Sequence, residues 1–187
     1  MEKLKILGAI VGLVANIPLF IAVWKGLKQN FSTWILWTML DVITTIAIIN
    51  QHGNYYLSGI YVFTSLAMSI LLFVKKEISW GLTDTVTAVG VCICLIVWYF
   101  MGDNATTIAS TAAVVISAYP LMRDTFISPD PGATKVYCMF IVASLLSLLA
   151  AKDTSVEEWL YPAATMSFSA VLTIFSIRKP TEFRIVH

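Results

Sequence analysis

The chain has 187 residues, of which 58% are hydrophobic and only 12% are charged, and its formal net charge is +1. Soluble domains carry about 25% charged residues, so this composition excludes a water-soluble globular protein and favours one that is solvated by a lipid bilayer. The nearly neutral charge also provides no basic field for nucleic acid, and no nucleic-acid partner is expected.

Seven apolar stretches recur along the chain, each close to the roughly 20 residues that cross a bilayer as a helix. A helix satisfies its own backbone hydrogen bonds in lipid, so the sequence predicts an all-α, polytopic membrane protein with seven transmembrane helices. In chain order the predicted spans are Ile6–Trp24, Ser32–Ile49, Leu57–Val74, Thr85–Met101, Ala105–Met122, Lys135–Ala151 and Trp159–Ile177. The first stretch has the basic flank of a signal peptide, but its length and the lack of a small-residue cleavage site favour a helix.

Lysine and arginine are distributed unevenly between the predicted loops. With the N-terminus outside, nine lie on the cytoplasmic side (Lys25, Lys28, Lys75, Lys76, Arg123, Lys135, Arg178, Lys179 and Arg184) and three lie outside (Lys3, Lys5 and Lys152). Cytoplasmic loops of membrane proteins are enriched in basic residues. The sequence therefore predicts an outer N-terminus and a cytoplasmic C-terminus.

The first three predicted spans align with the last three, without a gap, when the chain is shifted by 102 residues. Pro18-Leu19 then falls on Pro120-Leu121. Two three-helix units of equal orientation need an odd number of helices between them, and the fourth span provides one. The prediction is two parallel three-helix repeats in a 3+1+3 plan: a first bundle (1–78), a linker helix (79–103), a second bundle (104–179) and a short cytoplasmic tail (180–187).

Two stretches resemble the PQ-loop motif. These are Asn16-Ile17-Pro18-Leu19 and Tyr119-Pro120-Leu121, with leucine at the position of the motif's glutamine. With the 3+1+3 plan, the chain resembles the PQ-loop superfamily, which includes the SWEET sugar facilitators, lysosomal amino-acid exporters, PnuC vitamin transporters and KDEL receptors. The resemblance implies a solute site between the bundles, with Pro18 and Pro120 as hinges. Static kinks, from the backbone hydrogen bond that each proline removes, are the alternative.

Asp41 lies in the middle of the second predicted span, where an ionised carboxylate in lipid is costly. On a helix it shares a face with Trp37 and Thr45, which makes a polar and aromatic stripe suited to an inner cavity. The functional interpretation is a substrate contact or a proton-coupling acid. The structural alternative is a protonated Asp41 bonded to neighbouring hydroxyl groups.

The predicted solute site takes residues from both bundles. Asn16, Trp37, Asp41 and Thr45 come from the first bundle, and Tyr119, Ser144, Ser147 and Ser167 come from the second. Asn16 fits a close contact between helices equally well, because it follows Gly8 and Gly12 at four-residue spacing. Tyr161, near the start of the last span, is interpreted as an interfacial aromatic residue.

These features favour a small-solute transporter, either a facilitator or a proton-coupled carrier, for a polar or aromatic solute. A non-transporting receptor or sorting protein of the KDEL-receptor type is the alternative, and a partner subunit of a larger complex is a third. No catalytic motif is present, so neither an enzyme, a cofactor nor a metal site is expected. A bacterial inner membrane is the expected location and an endomembrane the alternative, while homo-oligomerisation stays open.

Overall fold

A computed structural model describes residues 1–78 and 80–178 of the chain. Over these residues the protein is all-helical, with 81% helix and no strand, which confirms the prediction of an all-α protein. The helices are α1 (Glu2–Trp24), α2 (Phe31–Asn50), α3 (Tyr56–Val74), α4 (Leu82–Ser117), α5 (Tyr119–Ile127), α6 (Thr134–Leu149) and α7 (Val156–Ser176). The predicted cytoplasmic tail, 180–187, lies outside the described residues.

Five helical stretches in the described residues are long and apolar enough to cross a membrane: α1, α2, α3, residues 95–127 and α7. α6 and residues 84–93 form shorter apolar helices. Large apolar side chains are exposed on the outer faces of these helices, for example Ile21 (50%), Phe63 (62%) and Ile174 (58%). By the length and composition of its helices the chain is an integral membrane protein, as its composition predicts.

α4 contains two helical segments that meet at Gly102, residues 82–101 and residues 103–117. Gly102 has φ 78° and ψ −177°. A residue with a side chain would be strained in this conformation, and glycine adopts it without that cost. The break falls where the sequence predicts a turn between the fourth and fifth spans.

The chain reverses direction at this break, as contacts with α2 show. Asn30, just before α2, bonds Asp84 at the start of α4, and Trp37 bonds the carbonyl of Val114 near its end. Asp84 and Val114 would be about 45 Å apart in one straight helix, whereas Asn30 and Trp37 are separated by only about 10 Å of helix. The two segments of α4 therefore run antiparallel.

Contacts between the helices show how the bundle is arranged. α3 packs against both α1 and α2, while α7 packs against α6, α4 and α5. α1 also contacts α6, and α2 contacts α4. The boundary between α1–α3 and the helices from residue 103 onward is called the seam below.

The bundle has two ends, named here by the segments that form them. The amino-terminal end contains residues 1–8, 50–55, 101–107 and 147–158, which contact one another through polar side chains. The opposite end contains residues 23–31, 73–78, 80–84, 123–136 and 175–178. The amino-terminal end contains the loops that the sequence predicts on the outer side, and the opposite end contains those predicted on the cytoplasmic side.

The two predicted hinge prolines occupy different local structures. Pro18 lies inside α1, which is helical on both sides of it. Pro120 is the second residue of α5, just after Ala118 separates α5 from α4. The side chain of Pro120 is outside the described part of the chain. The second proline coincides with an interruption between helices, and the first does not.

Candidate functional site

Asp41 lies at the centre of the bundle, with 4% of its surface exposed. α2 places it there because that helix is packed against both α3 and α4. The hydroxyl of Tyr161 donates a hydrogen bond to Asp41 Oδ1 over 2.6 Å. Tyr161 is itself only 1% exposed. This bond crosses the seam and joins α2 to α7 beside an internal cavity.

The cavity has a volume of about 50 Å³. One water molecule needs a cavity volume of roughly 10–15 Å³, so this cavity holds a few waters in the present conformation. Its walls combine aromatic, hydroxyl and amide side chains around one carboxylate. The polar and aromatic lining residues are Asn16, Gln29, Trp34, Trp37, Asp41, Tyr61, Thr64, Ser65, Tyr137, Phe140, Tyr161, Thr165, Phe168 and Ser169.

Several polar groups on these walls have defined partners. Asn16 donates its amide to the Gly12 carbonyl over 2.8 Å, which leaves its side-chain oxygen as an acceptor. Trp37 Nε1 donates to the Val114 carbonyl over 3.3 Å and so anchors the indole ring. The buried hydroxyl of Ser169 has no hydrogen-bond partner among the described residues.

A larger cavity of about 370 Å³ lies between this site and the opposite end. The two cavities share wall residues, namely Leu19, Gln29, Trp34, Leu121 and Tyr137. The larger cavity, called the vestibule below, has exposed Lys28, Asp124 and Asp130 in its wall. It lies directly beside the cavity next to Asp41, on the side of the opposite end.

The amino-terminal end is closed by a buried ion pair across the seam. Lys5 Nζ lies 2.7 Å and 2.9 Å from the two carboxylate oxygens of Glu158. Lys5 is 5% exposed and Glu158 is 3% exposed. The backbone N–H of Lys152 also donates to Glu158, over 3.2 Å. Because both charges are shielded from water, each depends on the other for compensation.

Hydrogen bonds beside this pair also cross the seam. Asn54 donates to the Ser147 hydroxyl over 3.0 Å, and Gln51 donates to the Thr107 hydroxyl over 2.8 Å. Gly53 packs so closely that a Cβ at this position would lie 2.7 Å from the carbonyl oxygen of Glu157. A side chain at residue 53 would push the two sides of the seam apart.

Two polar contacts described at the opposite end each join helices on the same side of the seam. Lys75 donates to the Val23 carbonyl over 2.6 Å, which joins α3 to α1. The hydroxyl groups of Thr134 and Ser176 are 2.8 Å apart and join α6 to α7. The vestibule lies between these two groups of helices.

Three of the predicted site residues line the cavity together: Asn16, Trp37 and Asp41. Ser144 lies directly behind the wall, where its hydroxyl is 2.9 Å from that of Thr165. The sequence pattern therefore identified the part of α2 that faces the cavity, and one residue each from α1 and α6 at or behind the wall.

Four predicted site residues lie elsewhere. Ser147 bonds Asn54 at the amino-terminal end, and Tyr119 is 57% exposed. Thr45 lies close to Gly59 of α3 and is absent from the cavity wall. Ser167 is exposed because two residues turn a helix by about 200°, so that it points away from the face on which Ser169 lines the cavity. These four residues therefore do not line the cavity.

Tyr161 is the main site residue that the sequence interpretation missed. It was expected at the membrane interface because the last span was predicted to begin at Trp159, whereas α7 begins at Val156. Tyr161 is therefore one turn deeper in the bundle. A signal for it was present: Tyr161, Thr165 and Ser169 are spaced by four residues and all line the cavity.

No protein-family model matches this chain, and neither a curated protein nor a solved structure matches it. Among the described residues, no group of three or more His, Cys, Asp or Glu is placed to hold a metal ion. The site offers a carboxylate, an amide oxygen and hydroxyl groups between aromatic rings. This chemistry suits reversible binding of a small solute by hydrogen bonds and ring contacts.

Proposed function

We propose that the chain is a small-solute membrane transporter whose site is the cavity beside Asp41. One observation carries this proposal. The cavity lies on the seam and adjoins the vestibule on the side of the opposite end, while the amino-terminal end is held shut by polar contacts across the seam. Alternating access requires a conformation of this kind and a second one in which the two ends exchange roles.

The packing order supports two equivalent units. The 102-residue shift relates α1 to the span made of residues 103–117 and α5, α2 to α6, and α3 to α7. The contact of α1 with α6 then corresponds to the contact of α4 with α2, and both are present. In each unit the third helix packs against the other two. Residues 82–101 would link the units, in the 3+1+3 plan of the PQ-loop superfamily that the sequence resembles.

The orientation follows from the basic residues. The opposite end contains most of the lysine and arginine, which favours the cytoplasmic side. In this orientation the present conformation is open to the cytoplasm. Opening to the outside then requires separation of Lys5 from Glu158 and of Tyr161 from Asp41. A proton on Asp41 would provide the coupling if transport is driven by a pH gradient.

Transport is tested with the purified chain in sealed liposomes. A panel of labelled sugars, amino acids, amines and vitamins is offered with and without a pH gradient, and empty liposomes give the background. Saturable uptake above background for one class supports the proposal, and its absence for every class contradicts it. Gradient-independent uptake that persists in Asp41→Asn would exclude proton coupling while leaving facilitated transport in place.

A receptor of the KDEL-receptor type is the second candidate, because the described cavities lead to one end only. Such a protein binds its ligand without releasing it on the other side. A solute that binds the purified protein but is not carried into liposomes would favour this function.

A further inference from the structure

We propose that the cavity beside Asp41 binds a compact organic cation. This inference rests on the proposed function only in that the cavity is taken as the solute site, and it concerns the chemical class of the solute.

The cavity wall has an acidic group without a basic side chain opposite it. Asp41 is the one charged residue among the described residues that line the cavity. Lys5, which is also buried, is paired with Glu158 at the amino-terminal end. Lys28 lies exposed in the vestibule wall. A buried carboxylate without a paired cation is costly, so a positively charged solute gains by supplying the opposite charge.

Aromatic rings line the same cavity as this carboxylate. Trp37 lies 5.2 Å from Trp34 and 6.0 Å from Phe168, measured between ring centroids, and Tyr61 lies 6.4 Å from Tyr161. All five rings line the cavity. Cations bind the faces of aromatic rings, most strongly that of tryptophan, and the attraction increases where water is excluded. A carboxylate among such rings is a combination that favours a cation over a neutral solute.

The hydroxyl of Ser169 is a polar group on the cavity wall that is available to bond a solute. Ser169 is 0% exposed, lines the cavity and has no hydrogen-bond partner among the described residues. Buried polar groups are nearly always hydrogen-bonded in folded proteins. Its oxygen can accept a hydrogen bond from an ammonium group or from a hydroxyl group of the solute.

The wall of the vestibule, like that of the cavity, has a net negative charge. Its described charged residues are Asp124, Asp130 and Lys28, two acids and one base. Together with Asp41, these residues give the walls of the vestibule and the cavity two more negative charges than positive ones. Acidic linings attract cations and raise their local concentration.

The volume of the cavity restricts the size of the cation. At about 50 Å³ it is smaller than the roughly 150 Å³ cavity that accepts benzene in an engineered protein. A cation of a few heavy atoms is therefore expected, and a larger one would have to extend into the vestibule past Gln29 and Trp34.

Binding is tested with matched probes that differ in charge but little in size. Ethanolammonium is compared with ethylene glycol, and methylammonium with methanol, through the concentration dependence of thermal unfolding of the protein in lipid nanodiscs. The expected dissociation constant is at least tenfold lower for one or both cations than for the neutral partner. Equal binding within both pairs, or no binding by either cation, would overturn the proposal.

Variants show whether this preference belongs to the cavity. Asp41→Asn keeps the size of the side chain and is expected to reduce the preference to less than twofold, while exposed Ser167→Ala is expected to retain it. Trp37→Phe should weaken cation binding less than Trp37→Leu does, because phenylalanine keeps an aromatic ring. The affinities of these two variants can be compared even if Asp41→Asn fails to fold. Full cation preference in Asp41→Asn, or equal loss in the two Trp37 variants, would contradict the assignment.

The two proposals fail in different ways. Binding of ethanolammonium by a protein that carries no solute of the panel, ethanolammonium included, into sealed liposomes would contradict transport and leave the cation site standing. Saturable uptake of a neutral solute by a protein that binds neither cation would contradict the cation site and leave transport standing.

Discussion

The amino-terminal end and the opposite end of the bundle use polar side chains in contrasting ways. At the amino-terminal end they join the two sides of the seam, as in the pairs Lys5–Glu158 and Asn54–Ser147. At the opposite end they join helices on the same side, as in Lys75–Val23. The same type of contact therefore closes one end and, at the other, stabilises two separate groups of helices around a vestibule.

This difference indicates how such a closure can be reversible. A hydrogen bond contributes only about 0.5–1.5 kcal/mol net, because water replaces the partner when the bond opens. An end closed by a few polar contacts can therefore open at moderate cost if water enters. The buried pair of Lys5 and Glu158 is the exception, since neither charge is easily separated from the other without solvent.

The largest expected effect is that of removing one partner of this pair. Lys5→Met leaves Glu158 buried without its cation and should destabilise the protein by about 3–5 kcal/mol, measured by thermal or denaturant unfolding in detergent micelles. Lys152→Met is the matched control, because Lys152 Nζ is 3.8 Å from Glu158 with 63% of its side chain exposed, and should cost about 1 kcal/mol or less.

The double variant Lys5→Met/Glu158→Leu tests the cause of that loss. If the unpaired charge is responsible, the double variant should regain most of the stability that Lys5→Met loses. Equal stability of Lys5→Met and Lys152→Met would show that the amino-terminal end is not closed by this ion pair.

Thiol labelling compares the two ends directly. In a background with Cys92, Cys94 and Cys138 replaced by serine, a cysteine introduced by Gln29→Cys in the vestibule should react readily with a water-soluble thiol reagent. A cysteine introduced by Ser147→Cys should react roughly a hundredfold more slowly, since access there needs local opening of a few kcal/mol. Similar rates would contradict the one-sided closure, and faster labelling of residue 147 on solute binding would indicate exchange between the two states.

A smaller effect is expected at the bond between Asp41 and Tyr161. Tyr161→Phe removes the donor of a buried 2.6 Å hydrogen bond and should cost about 1–3 kcal/mol in unfolding free energy. Tyr119→Phe, at an exposed position, should change it by less than about 0.5 kcal/mol. If both variants were equally stable, the bond would not contribute to holding α2 against α7.

The smallest effect is expected for Ser167→Ala. Its hydroxyl is exposed and bonds the Ala163 carbonyl of its own helix over 2.8 Å. Solute affinity and stability should both be unchanged within about 0.5 kcal/mol. A clear loss of solute binding would restore Ser167 to the site and contradict the helix phase described for α7.

Much of the fold could be predicted because its signals are local. Hydropathy identifies most of the helices, and the gap that it leaves between the fourth and fifth predicted spans contains the reversal at Gly102. Asp41 and Trp37 were placed correctly at the cavity because a residue in mid-span shows which helix face is polar. Ser167 and Tyr119 do not line this cavity, because residue type alone does not give the phase of a helix against its neighbours. Tyr161 was missed because its helix begins three residues earlier than predicted.

The sequence by itself determined that this chain is an apolar, all-helical membrane protein with a polar residue at the centre of its second helix. These properties depend on residues that are adjacent or a few turns apart. Only the tertiary structure decided that Asp41 meets Tyr161 and that Lys5 meets Glu158, pairs separated by 120 and 153 residues. Contacts of that range depend on how whole helices pack, and they decide which end of the bundle is closed.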